Sequence, residues 1–158
     1  MKIEIRKAII LDTETIKKIS RKTIDNNYRS FLGNKGVNCF IESGASDQYI
    51  DENIDDCWVI VNDNKIIGFS VCKGNLIDLM RIDHNYHREG YGTTLLKHCE
   101  DYLFITFNEI RLESFEGNVK ANNFYNKNEW IEIERKFDQM SGINKITFIK
   151  KVKHMYLK

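Results

Sequence analysis

Residues 87–96 read His87-Arg88-Glu89-Gly90-Tyr91-Gly92-Thr93-Thr94-Leu95-Leu96. A strand-like run precedes this segment and an amphipathic helical pattern follows it, so its two glycines fall where a strand turns into a helix. Glycine permits a tight turn and lets the backbone approach a ligand closely. The free N–H groups and the dipole at the start of a helix favour a bound anion. We therefore expect residues 87–93, the phosphate loop, to bind a phosphorylated ligand.

Three nucleotide-binding motifs can be compared with this loop. A Walker loop requires Gly, four residues and then Gly-Lys-Ser or Gly-Lys-Thr, which the segment lacks. A dinucleotide fingerprint requires a third glycine where Leu95 stands, although Glu113 follows at about the expected 20 residues. An acetyl-CoA loop has the pattern Gln/Arg-x-x-Gly-x-Gly/Ala, and here His87 takes the polar first position with Gly90 and Gly92 in register. Because two glycines can also form an ordinary turn, a second motif must decide.

The second motif spans residues 118–130, which read Asn118-Val119-Lys120-Ala121-Asn122-Asn123-Phe124-Tyr125-Asn126-Lys127-Asn128-Glu129-Trp130. This segment resembles the pattern Asn-x-x-Ala-x-x-Phe-Tyr-x-Lys-x-Gly-Phe. Together, in this order and about 30 residues apart, the two motifs resemble those of the Gcn5-related N-acetyltransferase (GNAT) family. Residues 77–82 are also similar to the family's central strand before the loop. The resemblance is clear from Cys57 to Trp130.

Length and composition are those of one compact domain, which we expect to cover residues 1–158. Lys and Arg number 24 against 23 Asp and Glu, so no global charge favours nucleic acid or a membrane surface as a partner. No apolar run is long enough to span a membrane, and the start of the chain lacks a signal-peptide core, which predicts a cytoplasmic protein. The cysteines form no Cys-x-x-Cys pair, so we expect no metal site.

Hydrophobic periodicity predicts alternating strands and helices. The first strand is expected at residues 2–10, followed by a helix that carries Ile16, Ile19, Thr23 and Ile24 at helical spacing. Residues 28–56 are less regular, with a short helix after Ser46. Further strands are expected at residues 57–61, 66–72, 76–82, 109–114, 130–137 and 145–152. Two more helices are expected, one after the phosphate loop and one at residues 118–127.

The family resemblance implies an α/β fold with the order β-α-α-β-β-β-α-β-α-β-β, in which helices flank a mixed sheet. It also implies that the sheet is splayed open between its fourth and fifth strands. Unpaired backbone groups at such an opening need a partner, and an extended pantetheine arm can act like an added strand. The resemblance therefore implies that acetyl-CoA lies in this opening.

The resemblance also implies which residues contact acetyl-CoA. The cofactor's amides would pair with Met80 and Ile82, and the Ile82 N–H would polarise the thioester carbonyl as the oxyanion forms. The N–H groups of Arg88 to Thr93, within the phosphate loop, would hold the pyrophosphate. The expected cofactor-binding residues are Met80, Arg81, Ile82, His87, Arg88, Glu89, Gly90, Tyr91, Gly92, Thr93, Asn118 and Tyr125. Asn118 is equally explained as the N-cap of the short helix.

Acetyl transfer by direct attack requires a neutral amine and an acid for the leaving thiolate. Candidate general bases are Asp78, Glu113 and Glu116, which lie in or just after predicted strands, and no motif distinguishes them. Tyr125 occupies the place where the family resemblance puts a phenol near the CoA sulfur. A phenol stays protonated at neutral pH and can donate its proton there. In isolation, Tyr125 would be read as a core aromatic residue.

The acceptor is the least defined part of the prediction. Aromatic residues that could line its site are Tyr28, Phe31, Tyr49 and Phe137. A small-molecule amine, a peptide N-terminus and a protein lysine all remain open as acceptors, and a homodimer remains open as the assembly. The sequence departs from the family pattern at His84, His87, Arg88 and Glu129, none of which the chemistry requires. A non-catalytic acyl-CoA sensor on the same fold is the alternative function.

Overall fold

The computed structural model describes residues 2–153. Its strands are β1 (Ile3–Lys7), β2 (Cys57–Asn62), β3 (Lys65–Lys73), β4 (Leu76–Ile82), β5 (Glu109–Phe115), β6 (Ile131–Asp138) and β7 (Ile143–Lys151). Its helices are α1 (Thr13–Asn27), α2 (Arg29–Glu42), α3 (Ala45–Asn53), α4 (Tyr91–Phe104) and α5 (Val119–Lys127). Short 3₁₀ turns lie at Ile10–Asp12, Ile54–Asp56 and His84–Tyr86.

The sheet has the order β1-β2-β3-β4-β5-β7-β6. All neighbouring strands are antiparallel except β4 and β5, which run parallel and pair only through Leu76 with Arg111 and Ile77 with Leu112. Beyond these residues the two strands separate, and we call this gap the splay. The predicted α/β fold, with a mixed sheet opened between its fourth and fifth strands, is confirmed.

The segment between β1 and β2 is more helical than its sequence pattern indicates. Three helices lie there instead of the two in the predicted order. The extra helix was obscured because Gly33 interrupts α2 with a non-helical conformation (φ 78°, ψ 160°) and only Val37 of that helix is buried. The first strand also ends at Lys7, before the predicted Ile10, because the next residues turn and the Asp12 carboxylate accepts the Ile9 N–H at 2.8 Å.

A bulge in β4 marks the start of the splay. Leu79 pairs with Val71 of β3 and Ile77 pairs with Cys72, so Asp78 is left without a partner on β3. A bulge bends its strand and increases the local twist. Here it lies directly after the last residue that β4 pairs with β5, so β4 turns away from β5 at Asp78.

Two apolar clusters hold the helices against the sheet. On one face, α4 packs against the sheet through its buried residues Leu95, Leu96, Cys99 and Leu103. On the other face, Ile16 and Ile19 of α1 and Ile50 of α3 pack against Val59 and Phe69. Burying one such side chain contributes about 1.5–3 kcal/mol, so each helix is fixed mainly by its apolar face. Within residues 2–153, no helix is both long and apolar enough to cross a membrane.

A buried ion pair ties α4 to the far side of the splay. Lys150 Nζ of β7 lies 2.8 Å from Glu100 Oε1, and Trp130 Nε1 donates to Glu100 Oε2 at 3.0 Å. Lys150 also donates to the Asn128 carbonyl at 2.9 Å. Removing one partner of a buried pair leaves an uncompensated charge, so these bonds constrain where β7 sits relative to α4. Because β5 pairs with β7, they also fix the width of the splay.

Candidate functional site

The phosphate loop is held on the end of β4 by a histidine. His87 Nε2 lies 2.7 Å from the Ile82 carbonyl oxygen, and the Asn85 N–H donates to Asp83 Oδ1 at 3.1 Å. Arg88 and Gly90 both have positive φ, 65° and 85°, a conformation that glycine adopts without strain. The loop therefore turns sharply, and α4 begins beside the end of β4.

The start of α4 lacks a side-chain cap. Its N-cap residue is Gly90, which has no side chain to accept a hydrogen bond from the first turn. The first N–H groups of a helix have no intrahelical partner, so those of Gly92 and Thr93 remain available to a ligand. A Cβ built on Gly92 would lie 3.5 Å from Phe124 Cζ and 3.9 Å from Ile82 Cγ1. The end of β4, the start of α4 and the side of α5 therefore meet at Gly92.

The free edge of β4 presents backbone groups to the splay. The Asp83 N–H donates to the Ile67 carbonyl of β3 at 2.8 Å. Peptide groups alternate in direction along a strand, so the N–H groups of Met80 and Ile82 turn away from β3. No strand pairs with them, because β4 and β5 pair only before Asp78. The predicted cofactor contacts at Met80 and Ile82 thus lie on an unpaired edge.

On the opposite side of the splay, Tyr125 projects from α5 among aromatic rings. Its ring centroid lies 5.5 Å from Phe124, 6.4 Å from Trp130 and 5.6 Å from Phe148. Burial raises the pKa of the Tyr125 phenol, and the nearby charge of Arg81 partly opposes that rise. The hydroxyl accordingly stays protonated at neutral pH. Among residues 2–153 it makes no hydrogen bond, which leaves it available to a ligand.

Asn118, predicted both as a cofactor contact and as a cap, caps α5. Its Oδ1 accepts the Ala121 N–H at 3.4 Å. Asn122 Nδ2 donates to the carbonyls of Phe115 and Glu116, both at 3.1 Å, and so joins α5 to the end of β5. The cap uses only the oxygen of Asn118, and Nδ2 remains for another partner.

The three candidate carboxylates have different surroundings. Asp78 accepts a hydrogen bond from the Tyr49 hydroxyl of α3. Glu116 is engaged through both oxygens, 2.7 Å from Arg135 Nη1 and 3.0 Å from Asn144 Nδ2, and its hydrogen bond from Arg135 lowers its pKa. Glu113 is exposed, and no residue of the described chain forms a hydrogen bond or ion pair with its carboxylate. Asp78 and Glu113 directly follow the last paired residues of β4 and β5.

The predicted acceptor residues do not form one group. Tyr28 and Phe31 pack together with Phe115 of β5 at ring-centroid distances of 5.1–5.9 Å. Tyr49 instead lies beside Asp78, and Phe137 is 59% exposed on β6. The aromatic group of Tyr28, Phe31 and Phe115 lies next to the splay, on the face that carries α1 and α2.

Several contacts at the site could not be predicted from sequence. Arg81 Nη1 donates to the Tyr28 hydroxyl at 2.7 Å, although 53 residues separate the two. The Tyr49–Asp78 bond links residues 29 positions apart. No local pattern signals such pairs. The side chains of Arg88 and Glu89 are exposed, so these two residues line the loop mainly through their backbone.

The fold is shared with known acetyltransferases. The PaiA N-acetyltransferase from Thermoplasma acidophilum in complex with coenzyme A superimposes with a TM-score of 0.79 at 22% identity, over 96% of this chain and 100% of that one. A GCN5-related N-acetyltransferase from Rhodopseudomonas palustris gives 0.83 at 14% identity, over 96% and 97%. The ribosomal-protein-S18-alanine N-acetyltransferase from Escherichia coli gives 0.73 at 14% identity, over 98% and 97%. At these identities the likeness shows the fold alone.

Sequence comparison gives the family. A search of curated protein sequences finds no significant match. The model of the acetyltransferase (GNAT) family matches residues 25–130, about two thirds of the chain, including the phosphate loop and α5. The match covers both motifs, residues 87–96 and residues 118–130. The chain therefore belongs to the GNAT acetyltransferase family.

Proposed function

We propose that the protein transfers the acetyl group of acetyl-CoA to an amine by direct attack in a ternary complex. The observation that carries this proposal is the arrangement at the splay. The uncapped start of α4 faces the same opening as the unpaired edge of β4 and the protonated phenol of Tyr125. One ligand with a pyrophosphate, an amide chain and a reactive thioester matches all three features in turn.

In this arrangement acetyl-CoA lies along β4. The N–H groups of the phosphate loop, including those of Gly92 and Thr93, bind the pyrophosphate at the positive end of the α4 dipole. The Met80 and Ile82 N–H groups pair with the cofactor as an added strand would. Ile82 lies beside the phosphate loop, so the arm runs from Ile82 toward Met80, and the Met80 N–H stabilises the oxyanion.

The acceptor amine must lose a proton before it attacks. A lysine-type amine is neutral in only about one molecule in a thousand at pH 7, and an α-amine in about one in ten. A base therefore assists, and Glu113 is our candidate because its carboxylate is unengaged where the splay opens. Asp78 also lies where the splay opens, but one of its carboxylate oxygens already accepts a hydrogen bond from the Tyr49 hydroxyl. Glu116 is the weakest candidate, since Arg135 holds its pKa low.

Tyr125 assists the departure of the CoA thiolate. Its raised pKa keeps the hydroxyl protonated, so it can donate a hydrogen bond to the sulfur as the tetrahedral intermediate collapses. The base takes the amine proton and passes it to solvent. The thiolate takes the Tyr125 proton, which solvent then returns to the phenolate. The products are the N-acetylated acceptor and CoA with a free thiol.

Thiol release from acetyl-CoA tests the proposal. The protein is incubated with acetyl-CoA and a panel of amines that includes small molecules, peptides with a free N-terminus and lysine-containing peptides. Amine-dependent release of CoA, together with an acetylated acceptor by mass spectrometry, supports the proposal. Binding of acetyl-CoA without release for any amine would contradict it and favour the acyl-CoA sensor.

A further inference from the structure

Arg81 is a buried cation on the acceptor side of β4. Its neighbour Ile82 packs in the cluster that contains α4, and successive strand side chains point to opposite faces, so Arg81 points toward α1 and α2. The residue is only 7% exposed. Its Nη1 donates to the Tyr28 hydroxyl at 2.7 Å, and its guanidinium carbon lies 5.1 Å from the centre of that ring.

The charge of Arg81 is not balanced by the described part of the chain. Nε is buried and has no hydrogen-bond partner. Nη2 also has no hydrogen-bond partner among residues 2–153, but unlike Nε it is accessible to solvent. A phenol and an aromatic face stabilise a guanidinium only in part. A buried charge without an opposite charge beside it raises the free energy of the folded protein. A bound anion beside Arg81 would remove this cost.

Four other arginines in the described chain have a partner that Arg81 lacks, a carboxylate. Arg6, Arg21, Arg29 and Arg135 each form an ion pair with a carboxylate. Their side chains are 34–50% exposed, so water already solvates them in part. Arg81 is far more buried, yet none of the ion pairs between described residues includes it. A ligand carboxylate that reaches Nη2 would complete its coordination.

The unpaired donors of Arg81 lie next to the place where we expect the thioester to react. Arg81 stands between Met80 and Ile82, whose N–H groups we assign to the cofactor's arm and thioester. Its charge also acts on the Tyr125 phenol, whose pKa it lowers against the effect of burial. An anion bound by Arg81 therefore lies beside the stretch of β4 that we assign to the thioester. That position belongs to the acceptor, because the Arg81 side chain points toward α1 and α2, away from the face of the sheet that carries α4.

We infer that the acceptor is an amine with a carboxylate close to its amino group, as in an α-amino acid, and that Arg81 binds this carboxylate. This inference rests on the proposed acetyl transfer. Arg81 presents a planar donor group that suits a carboxylate. Its positive charge also disfavours the ammonium form of a neighbouring amine, which assists the attack. Tyr28, Phe31 and Phe115 form an apolar wall beside it for the rest of the acceptor.

Matched pairs of acceptors test the inference through kcat/KM. Each pair is an L-amino acid and the amine left by its decarboxylation, such as phenylalanine with phenethylamine and methionine with 3-(methylthio)propylamine. The wild type is expected to prefer the amino acid by about 30-fold or more, the effect of losing one partner of a buried charge pair. Arg81→Met, which keeps an apolar stem, is expected to reduce this preference to about threefold or less. Equal rates for both members in the wild type, or equal losses for both in Arg81→Met, would overturn the inference.

Binding separates this inference from the proposed function. Thermal unfolding of the CoA-bound protein is followed with and without each amino acid, in the wild type and in Arg81→Lys, which keeps the charge but loses the planar fork. A shift with the amino acid but not its decarboxylated partner, reduced in Arg81→Lys, supports the inference even if no amine is acetylated. In that case only the proposed function fails. A shift that is the same for both partners, or no shift with any amino acid, overturns the inference whatever the turnover.

Discussion

Two strand-to-helix units flank the splay, and their helices begin in opposite ways. α4 follows β4 and begins at Gly90 without a side-chain cap. α5 follows β5 and begins at Asn118, whose side chain accepts the Ala121 N–H. Asn122 further joins α5 to the end of β5.

The different helix starts indicate that one unit binds the cofactor and the other supplies the reacting side chains. A helix whose first N–H groups are unpaired offers them, with its dipole, to an anion. A helix whose start is capped and tied to the preceding strand holds its side chains in a fixed direction. On this account β4 and α4 bind the cofactor, whereas β5 and α5 supply Glu113 and Tyr125 for the reaction. Substitutions confined to one unit should therefore change either binding or turnover, but not both.

The largest effect is expected on the α5 side. Tyr125→Phe keeps the ring and its contacts but removes the hydroxyl, so turnover should fall by about 10²–10⁴-fold where the chemical step limits the rate. The affinity for CoA and the unfolding temperature should change little. Tyr102→Phe is the matched control, because Tyr102 is 43% exposed and packs on Trp58 away from the splay. Unchanged single-turnover rates in Tyr125→Phe would remove the acid role.

A smaller loss of turnover is expected when the base is removed. Glu113→Gln should lower kcat/KM by about 10²-fold, because the carboxylate no longer accepts the amine proton. Steady-state kinetics across pH measure this loss. Glu116→Gln serves as the control and should change kcat/KM less than threefold, roughly, because Glu116 is already engaged by Arg135. If Asp78→Asn produces the larger loss and Glu113→Gln does not, the base is Asp78.

On the α4 side the expected effect is on binding alone. Thr93→Glu places a negative charge in the first turn of α4, where it suits the helix dipole but repels the pyrophosphate. The affinity for CoA should weaken by about tenfold, or about 1.4 kcal/mol, in calorimetric titrations. The free protein should be as stable as the wild type or slightly more so. Asn123→Glu adds the same charge on the exposed face of α5 and should leave CoA affinity nearly unchanged.

The smallest effect concerns the cap of α5. Asn118→Ala should lower the free energy of unfolding by about 1 kcal/mol, measured in urea, because the Ala121 N–H loses its acceptor. Asn118→Ser keeps an acceptor oxygen and should recover most of this loss. Both variants should bind CoA as the wild type does. Weaker CoA binding in both would show that Asn118 Nδ2 contacts the cofactor, as the family resemblance implies.

Local sequence patterns predicted the parts of the molecule that depend on neighbours along the chain. Gly90 and Gly92 located the turn into α4, and the alternation in β6 and β7 predicted the closing strands. The family resemblance added the splay, which no periodicity shows. The irregular α2 was missed because Gly33 breaks its pattern.

Several contacts that position side chains at the site could not be predicted, because they join residues that are far apart in the sequence. His87 was predicted as a cofactor-binding residue, and its ring contacts the Ile82 carbonyl, a contact that the sequence did not indicate. The pairing of Arg81 with Tyr28 depends on how α1 and α2 cross the sheet. Such contacts follow from tertiary packing and leave no periodic signal in the sequence.

Amide chemical shifts show whether the start of α4 binds the pyrophosphate of CoA. A ¹⁵N-labelled sample is titrated with CoA and, as a control, with pantetheine, which lacks the pyrophosphate. We expect large shifts of the Gly92 and Thr93 amides with CoA and small ones with pantetheine. The Ala121 amide, in the capped first turn of α5, should change less. If CoA saturates the protein while the Gly92 and Thr93 amides stay unchanged, the pyrophosphate binds elsewhere and the account is wrong.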